Sequence, residues 1–242
     1  MRRTTRRWCL WPTPTQHRGD RTPAPVLMSN ETLHGGSKYN VVYEQSSAEI
    51  YDEWARDGYD ETVGANSVAV LSVASVLKRL VDGKSSCHVL DAGCGTGRVA
   101  EACREAVGDG IALTFDGLDY SPGMLEVAEK KGMYQRLMQA DLTRALELED
   151  GAYGAVVCCG TFLQGHVGPE ALPELCRVLS TGGVMAFSVR PTFFEAHKDK
   201  WLSTLELHGM CDVTVAMLPY SAGAADKGSS PMLAPFVSCR KP

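Results

Sequence analysis

The sequence lacks the features that mark membrane and secreted proteins. No apolar run approaches the ~20 residues that a membrane-spanning helix requires, since the longest, 68–77, has ten residues and includes two serines. No apolar segment follows the basic N-terminus, so we expect no secretory signal peptide. The nine cysteines include no Cys-x-x-Cys pair, the spacing typical of zinc and redox sites, and we therefore expect no metal site. We expect free thiols that act as small apolar side chains in a reducing compartment.

Positive charge is scarce outside the N-terminal segment. Residues 1–27 contain six arginines and one acid, whereas the rest of the chain contains 18 basic and 28 acidic residues. An acidic body repels the phosphates that dominate nucleic-acid binding. We therefore expect no nucleic-acid partner, and the absence of a long apolar run predicts no membrane partner.

The N-terminal segment has no apolar periodicity and contains prolines at positions 12, 14, 23 and 25, which exclude a continuous helix. We predict that residues 1–36 form a disordered basic leader and residues 37–242 form one domain. Two interpretations of the leader remain open: it lies upstream of a true start at Met28, or it is an organelle transit peptide, although its prolines disfavour the amphipathic helix of a mitochondrial signal. We expect a cytoplasmic protein, with organelle import through the leader as the alternative.

Short apolar runs alternate with helical patterns from residue 87 onward, which predicts a parallel sheet with helices on both faces. Ligands of such a sheet bind at the carboxyl ends of its strands. The last two runs are joined by the Gly/Ser-rich loop 221–231, which leaves no room for a crossover helix, so we predict an antiparallel hairpin. The fold class is therefore α/β, a doubly wound Rossmann-like sheet of seven strands, mostly parallel with an antiparallel C-terminal hairpin. The predicted strands are 87–91, 113–120, 134–140, 153–159, 184–189, 213–218 and 236–240, and the predicted helices are 98–107, 169–179, 201–208 and one that begins near Pro122.

A glycine-rich turn follows the first predicted strand, in the sequence Asp91-Ala92-Gly93-Cys94-Gly95-Thr96-Gly97-Arg98. Gly93 and Gly95 allow a tight turn and a close approach of the backbone to a ligand. A nicotinamide fingerprint needs its third glycine where this chain has Arg98, which disfavours an NAD-dependent oxidoreductase. Asp91 would repel a pyrophosphate, but it suits a ligand that carries ammonium and sulfonium charges.

Two further acids end predicted strands. Asp119 ends the second strand, where one carboxylate can accept hydrogen bonds from both hydroxyls of a ribose, and the following Tyr120 could cover an adenine face. Asp141 ends the third strand and could accept from an adenine amino group, with Leu142 packed on the ring. The alternative for both acids is a plain turn residue at the end of a strand.

These elements, in this order and followed by the strand 153–159, resemble the class I S-adenosylmethionine-dependent methyltransferases over about residues 45–240. The segments 51–54, 59–60, 160–162 and 165–167 are similar in addition to the methyltransferase-like proteins of the Williams–Beuren region group. The resemblance implies a methyltransferase that uses S-adenosyl-L-methionine as its cofactor. It also implies a seven-stranded sheet with an antiparallel last hairpin, which agrees with the strand pattern.

The resemblance further implies a role for each residue that matches the family's motifs. These residues are, for the methionine part of the cofactor, Asp91, Gly93 and Gly95; for the ribose, Asp119; for the adenine, Tyr120, Met124, Asp141 and Leu142; for the surroundings of the sulfonium, Cys159 and Gly160; and for closure over the cofactor, Tyr51 and Tyr59.

Methyl transfer from a sulfonium is an in-line displacement, for which a protein mainly supplies alignment and exclusion of water. A general base is needed only if the acceptor must lose a proton, and His166, which follows the fourth strand, is our candidate. Arg190, at the end of the fifth strand, could hold an acidic acceptor, and Phe193 could form a wall of the acceptor pocket. The alternatives are a structural histidine, a solvated arginine and simple core packing.

The acceptor class is predicted mainly by what is missing. No Asn/Asp-Pro-Pro-Tyr/Phe stretch follows the fourth strand, which disfavours methylation of DNA bases, and no large insertion offers a second domain that could bind a macromolecule. We therefore expect a small-molecule methyl acceptor and a monomer or weak homodimer. A protein methyltransferase and a non-catalytic S-adenosylmethionine-binding module that acts through protein partners are the alternatives.

Overall fold

A computed structural model describes residues 48–64, 67–222 and 231–242. Seven α-helices lie in these ranges, with short 3-10 turns at 108–110 and 169–171 and a π-helical turn at 60–64. The helices are α1 (Ala48–Arg56), α2 (Ala69–Leu80), α3 (Arg98–Val107), α4 (Pro122–Lys131), α5 (Leu172–Val178), α6 (Pro191–Ala196) and α7 (Lys198–Leu207).

The described residues form a single seven-stranded sheet in the order β3-β2-β1-β4-β5-β7-β6. The strands β1 to β5 pair in parallel, and β7 runs antiparallel to both β5 and β6. The strand order reverses between β1 and β4, which is where the ligand crevice of a doubly wound sheet opens. The predicted fold class is confirmed. The strands are β1 (Ser86–Ala92), β2 (Ala112–Asp119), β3 (Arg136–Gln139), β4 (Tyr153–Phe162), β5 (Leu179–Val189), β6 (Cys211–Ser221) and β7 (Met232–Arg240).

Each face of the sheet is covered by its own apolar core. Val89 of β1 packs in the cluster that contains Leu77 of α2 and Cys103 of α3. Leu90, the next residue, packs in the opposite cluster with Leu175 of α5 and Trp201 of α7. Successive side chains of a strand point to opposite faces, so a strand that is covered on both sides must be apolar at nearly every position, as the sequence of β4 is.

The start of α4 follows the local sequence closely. Pro122 occupies the first turn, where its missing N–H costs no hydrogen bond. The hydroxyl of Ser121 caps the helix by accepting from the backbone N–H of Met124 at 3.1 Å. The predicted helix 98–107 is likewise observed with the same bounds. Local capping chemistry therefore determines where α4 begins, whereas α3 follows Gly97 without a side-chain cap.

The region between β4 and α7 differs from the prediction. The helix that was expected to run to Leu179 ends at Val178, and β5 begins at Leu179, which pairs with Tyr153 of β4. Gly182 and Gly183, a residue type that commonly ends helices, lie inside β5 at a register shift, where the N–H of Gly182 donates to the carbonyl of Lys241 at 2.9 Å. The pairing of β5 with distant strands thus overrides a local helix-stop signal. A short helix, α6, also precedes α7 and was not predicted.

Several expectations concern residues outside the described ranges. The basic leader 1–36 and most of the loop 221–231 are among them, so the leader and the domain boundary stay predictions. Every helix within the described ranges is too short or too polar to span a bilayer. All eight cysteines of these ranges are free, and six of them are buried, in agreement with their expected use as small apolar side chains.

Candidate active site

A cavity of about 340 Å³ opens at the carboxyl ends of β1, β2 and β4. It lies at the predicted edge of the sheet, and twelve of the fifteen residues predicted for the site line it. The other three, Asp91, Arg190 and Phe193, do not. The lining consists of Tyr51, Tyr59, Gly93, Gly95, Asp119, Tyr120, Ser121, Met124, Ala140, Asp141, Leu142, Thr143, Cys159, Gly160, Thr161, His166 and Val167.

The glycine-rich turn after β1 forms one wall of the cavity. The backbone N–H groups of Gly93 and Cys94 both donate to the carbonyl of Leu118, each at 2.8 Å, which ties the turn to β2. Gly93 has a φ of +73°, and a Cβ at this position would lie 2.2 Å from the hydroxyl oxygen of Thr161. No side chain fits there without moving β4. The turn therefore presents bare backbone to the cavity, as a close ligand contact requires.

Asp119 holds the end of β2 against the glycine-rich turn. Its Oδ2 accepts from the N–H of Gly95 at 2.8 Å and its Oδ1 from the N–H of Ser121 at 2.9 Å. Burial raises the pKa of Asp119, and these backbone hydrogen bonds oppose the rise. The carboxylate thus joins the turn to the start of α4 and lies in the cavity wall, where it can accept further hydrogen bonds.

Asp91 lies beneath the turn. Its side chain is fully buried, and its Oδ2 accepts a hydrogen bond from the hydroxyl of Tyr134 at 2.7 Å. Its Oδ1 has no hydrogen-bond partner in the described part of the chain. Burial raises the pKa of Asp91 to about 7, with the Tyr134 hydrogen bond acting against the rise and the charge of Asp119 adding to it. The predicted contact of Asp91 with a ligand stays a prediction, since other residues of the turn form the cavity surface.

The residues predicted to contact adenine lie on three segments of the lining. Tyr120 is exposed, whereas Met124 of α4 and Leu142 after β3 are buried. The Oδ1 of Asp141 accepts from the N–H and the hydroxyl of Thr143, at 2.8 and 2.6 Å, and these bonds lower the pKa of Asp141. Asp141 is therefore both a turn residue, which stabilises its own turn, and a residue of the cavity lining.

An aromatic cluster from the N-terminal segment covers the cavity. Trp54 is buried in the middle of it, with ring centroids 6.2 Å from Tyr51 and 4.9 Å from Tyr59. Both tyrosines line the cavity. The ring of Tyr51 also meets the ring of His166 edge-on, with centroids 5.8 Å apart. The two tyrosines predicted to close over the cofactor are thus held in place by packing against the buried ring of Trp54.

Two carboxylates attach this cover to the rest of the domain. Asp52 of α1 accepts from the hydroxyl of Ser121 and, at 2.8 Å, from the N–H of Gly123 at the N-terminus of α4. A Cβ on Gly123 would lie 2.7 Å from the Cα of Asp52, so the two helices meet at a position where only glycine fits. Asp60 accepts from the hydroxyl of Thr96 at 2.6 Å and from Lys131 at 2.7 Å. The cover is therefore fastened to the residues that surround the cavity.

The end of β4 and the segment after it form a further part of the lining, next to the glycine-rich turn. Cys159, Thr161 and His166 are partly exposed here, and the N–H of His166 donates to the carbonyl of Leu163 at 3.2 Å. Burial raises the pKa of the Cys159 thiol to about 12, so this sulfur stays protonated and uncharged at neutral pH. His166 is consequently the lining side chain best suited to accept a proton near neutral pH.

The two residues predicted to bind the acceptor lie elsewhere. Arg190 is buried with its guanidinium 5.2 Å from the ring centroid of Tyr220 and its Nη1 3.6 Å from the sulfur of Met232. Phe193 packs edge-on against Trp201, with centroids 5.8 Å apart, in the core beneath α7. The structure brings neither side chain into the cavity lining, because β5 turns into α6 at this point and directs Phe193 towards the core.

Five lining residues were not predicted for the site: Ser121, Ala140, Thr143, Thr161 and Val167. All five directly adjoin a predicted residue in the sequence. Tyr134 was also missed, since it was assigned to the third strand, whereas β3 begins only at Arg136. No local signal marks Tyr134, because its partner Asp91 lies 43 residues away.

Comparisons with known sequences show the family of the chain. A family model described as a methyltransferase domain matches residues 89–183. Methyltransferase-like protein 27 from Homo sapiens is 35% identical over 174 residues, which are 69% of this chain and 69% of that protein. A malonyl-(acyl-carrier protein) O-methyltransferase from Serratia marcescens is 33% identical over 136 residues, 54% of this chain and 50% of that protein. The chain thus matches about half the length of the second relative.

A solved structure agrees with the fold. The structure of an S-adenosylmethionine-dependent methyltransferase from Thermotoga maritima superposes with a TM-score of 0.56 and 16% identity, over 81% of this chain and all of that one. At this level of identity the likeness concerns the architecture of the sheet and helices.

Proposed function

We propose that this chain, which belongs to the class I S-adenosylmethionine-dependent methyltransferases, moves the methyl group of S-adenosyl-L-methionine to an oxygen, nitrogen or sulfur atom of a small molecule. The proposal rests mainly on one observation. A single cavity of about 340 Å³ is lined both by the residues predicted to bind the cofactor and by His166. That volume lies within the range of small-molecule sites.

The residues around the cavity fit the cofactor chemically. Asp119 is a carboxylate in the cavity wall that suits the two hydroxyls of a ribose. Gly93 and Gly95 present backbone without a side chain to the cavity. The Oδ1 of buried Asp91, which has no hydrogen-bond partner in the described part of the chain, is an acceptor suited to a cationic group. When bound, S-adenosylmethionine supplies a methyl group on a sulfonium, a leaving group that needs no further activation.

The chain's own contribution is alignment, exclusion of water and acceptance of a proton. Tyr51 and Tyr59, supported by Trp54, cover the cavity and keep water from the reacting atoms. His166 lies against Tyr51 in the cavity lining. We assign His166 the role of general base, which accepts the acceptor's proton at a ring nitrogen when the acceptor is a hydroxyl, thiol or ammonium.

The role of His166 is tested by His166→Ala with the exposed His208→Ala as the matched control. We expect the turnover of a hydroxyl or thiol acceptor to fall about 100-fold, while the dissociation constant for S-adenosylmethionine changes less than about twofold. His208→Ala should change neither quantity. An unchanged turnover in His166→Ala would remove the general base from the proposal.

The acceptor class is tested with tritium-labelled S-adenosylmethionine. The purified chain is incubated separately with the low-molecular-mass fraction and the protein fraction of a cell extract. Label that enters the low-molecular-mass fraction supports the proposal. Label in the protein fraction alone would replace it with a protein methyltransferase or an acceptor carried on a protein, as the name of the Serratia marcescens relative describes. No label in either fraction would favour the non-catalytic module.

We also propose that the protein works in a reducing compartment, the cytoplasm or an organelle reached through the basic leader. The free and mostly buried thiols of the described residues support this assignment. Fluorescent fusions of residues 1–242 and 37–242 would test it, because only an import leader makes the two fusions differ in location.

A further inference from the structure

Tyr134 occupies the space beneath the glycine-rich turn, between α4 and β3. Its ring lies so close to the backbone that a Cβ on Gly97 or on Gly117 would be 3.0 Å from a ring carbon. Phe115 of β2 meets the ring edge-on, with centroids 6.3 Å apart. The ring is therefore fixed on several sides, and its hydroxyl is directed at one group, the Oδ2 of Asp91 at 2.7 Å.

Asp91 is a fully buried carboxylate whose Oδ2 accepts from a phenol and whose Oδ1 has no hydrogen-bond partner among the described residues. Asp116 of β2 also has an unpartnered Oδ1, but its Oδ2 is paired with the guanidinium of Arg136 at 2.6 Å. Burying a carboxylate costs free energy unless hydrogen bonds or an opposite charge offset it. The phenol supplies one hydrogen bond but no charge. The negative charge of Asp91 is therefore only partly compensated in the protein alone.

The ionisable groups around Asp91 come from every element packed on it. Asp119 of β2 adds a like charge, and the neighbouring thiols are held protonated because burial raises their pKa values. Burial also raises the pKa of Cys159, and Arg98 at the start of α3 opposes that rise. The groups are Asp119 from β2, Cys158 and Cys159 from β4, Cys94 from the turn, Cys103 from α3, and Tyr134 itself.

We propose that Tyr134 is a positioning residue for the methyl donor: its hydroxyl holds the Asp91 carboxylate ionised and oriented beneath the glycine-rich turn, so that the carboxylate attracts the positively charged methionine portion of the donor. The phenol is suited to this role because burial and the adjacent Asp91 raise the pKa of Tyr134, which keeps it a hydrogen-bond donor. Coulombic attraction acts over several ångströms in a buried site, so direct contact with the cavity is not required. The inference rests on the proposed function only for the identity of the donor.

The sign of the effect of pH follows from the geometry. Loss of the Tyr134 hydroxyl removes a hydrogen bond to the ionised form of Asp91, so the pKa of Asp91 rises further above about 7. At pH 7 the carboxyl group is then mostly protonated and its attraction for the donor is lost. A rise of one pKa unit corresponds to a tenfold change in the balance of the two forms.

The test measures donor binding by calorimetry between pH 6 and 8, in the full-length chain without an acceptor. We expect Tyr134→Phe to weaken S-adenosylmethionine and S-adenosylhomocysteine about tenfold at pH 7. Binding of 5′-methylthioadenosine, which lacks the amino-acid portion, should change less than about twofold. Equal weakening of all three ligands would indicate a merely structural tyrosine, and unchanged binding of all three would also overturn the proposal.

Two further variants make the result specific. Asp91→Asn should bind S-adenosylmethionine as weakly as Tyr134→Phe, and adding Tyr134→Phe to it should cause no further loss. The pH profile of donor affinity in Asp91→Asn also serves as a reference, because it contains the titration of the donor's own amino group but not that of Asp91. An additive loss in the double variant would contradict the proposal.

Tyr153→Phe is the matched control, because Tyr153 is another buried tyrosine that donates to a buried aspartate, Asp116, at 2.9 Å. It should leave the affinity for all three ligands unchanged, and a tenfold loss would remove the specificity assigned to Tyr134. No acceptor is present in these measurements. A negative result in these binding measurements would therefore not contradict the proposed small-molecule acceptor. Likewise, a wrong acceptor class would not contradict the role of Tyr134.

Discussion

Asp91 and Asp116 are fully buried carboxylates on the neighbouring strands β1 and β2, but their surroundings differ. The Oδ2 of Asp116 accepts from Arg136 at 2.6 and 3.0 Å and from Tyr153 at 2.9 Å, and the Nε2 of His88 lies 3.2 Å away. Burial alone would raise the pKa of Asp116, but these hydrogen bonds and positive charges outweigh it and lower the pKa. Among the described residues, only the hydroxyl of Tyr134 donates a hydrogen bond to the carboxylate of Asp91, and the pKa of Asp91 is raised by burial.

The difference separates a structural carboxylate from one prepared for a ligand. The cation that compensates Asp116 belongs to the chain, so this charge is stabilised in the protein by itself. Asp91 lies beneath the glycine-rich turn, and we expect the donor to supply its compensating positive charge. Residues whose electrostatic balance is incomplete in the free protein cluster at functional sites, and Asp91 follows that pattern.

The largest effect is expected from Asp116→Asn. This change removes the charge that pairs with Arg136 and should lower the free energy of unfolding by about 3 kcal/mol, the low end for a broken buried pair because Arg136 is half exposed. The dissociation constant for S-adenosylmethionine should stay within about twofold. Urea unfolding and calorimetry measure the two quantities. A large loss of donor affinity would show that the two carboxylates do not have separate roles.

A smaller effect is expected in the pH dependence of stability. An aspartate in an unfolded chain titrates near pH 4, whereas Asp91 in the folded protein titrates at about 7. The folded state therefore binds the extra proton between these values, and stability falls as pH rises through this window and levels off above it. Relative to Asp91→Asn, the wild-type protein should lose about 2 kcal/mol between pH 5 and 8. Asp116, whose pKa is lowered, should contribute no such slope there.

The measurement is urea unfolding of both proteins at several pH values, without ligand. Saturating S-adenosylmethionine should flatten the wild-type slope, because the donor stabilises the ionised form of Asp91. A slope that is equal in the wild type and in Asp91→Asn would show that Asp91 is compensated within the protein, as Asp116 is.

The smallest effect is expected from a third carboxylate, Asp52, which is partly exposed and binds the start of α4. Asp52→Ala removes acceptors for Ser121 and Gly123 and should cost about 1 kcal/mol, as for a lost helix cap. Because α1 carries Tyr51 over the cavity, the dissociation constant for S-adenosylmethionine should rise about fivefold. Glu53→Ala, at an exposed position of the same helix, is the control and should change little. If Asp52→Ala and Glu53→Ala change the dissociation constant equally, the attachment of α1 to α4 does not contribute to donor binding.

Much of the site could be predicted from short-range patterns. Asp119 and the Gly93–Gly97 turn follow strands whose apolar runs are recognisable, and parallel strands bring their carboxyl ends to one edge. Pro122 and its cap Ser121 likewise mark the start of α4 locally. The cavity lining confirms that these segments meet.

Other features could not be predicted, because they depend on contacts between distant segments. β5 starts early, at Leu179, because this residue pairs with Tyr153 of β4. This pairing keeps Gly182 and Gly183 inside the strand, although glycines commonly mark the end of a helix. Phe193 packs on Trp201 because it lies in α6, the short helix between β5 and α7. Arg190 lies over the ring of Tyr220 in β6. A pattern along the chain identifies such side chains as apolar or charged, but it does not specify what they contact.

The sequence by itself determined the β-α alternation, the glycine-rich turn and the acids at the strand ends, because these features depend on residues close together in the chain. Only the tertiary structure decided what each carboxylate meets. Tyr134 reaches Asp91 across 43 residues, and Ser121 reaches Asp52 across 69. The packing of α4, β3 and α1 on the sheet fixes these distances. That packing determines whether a buried charge is compensated by the chain or by a ligand.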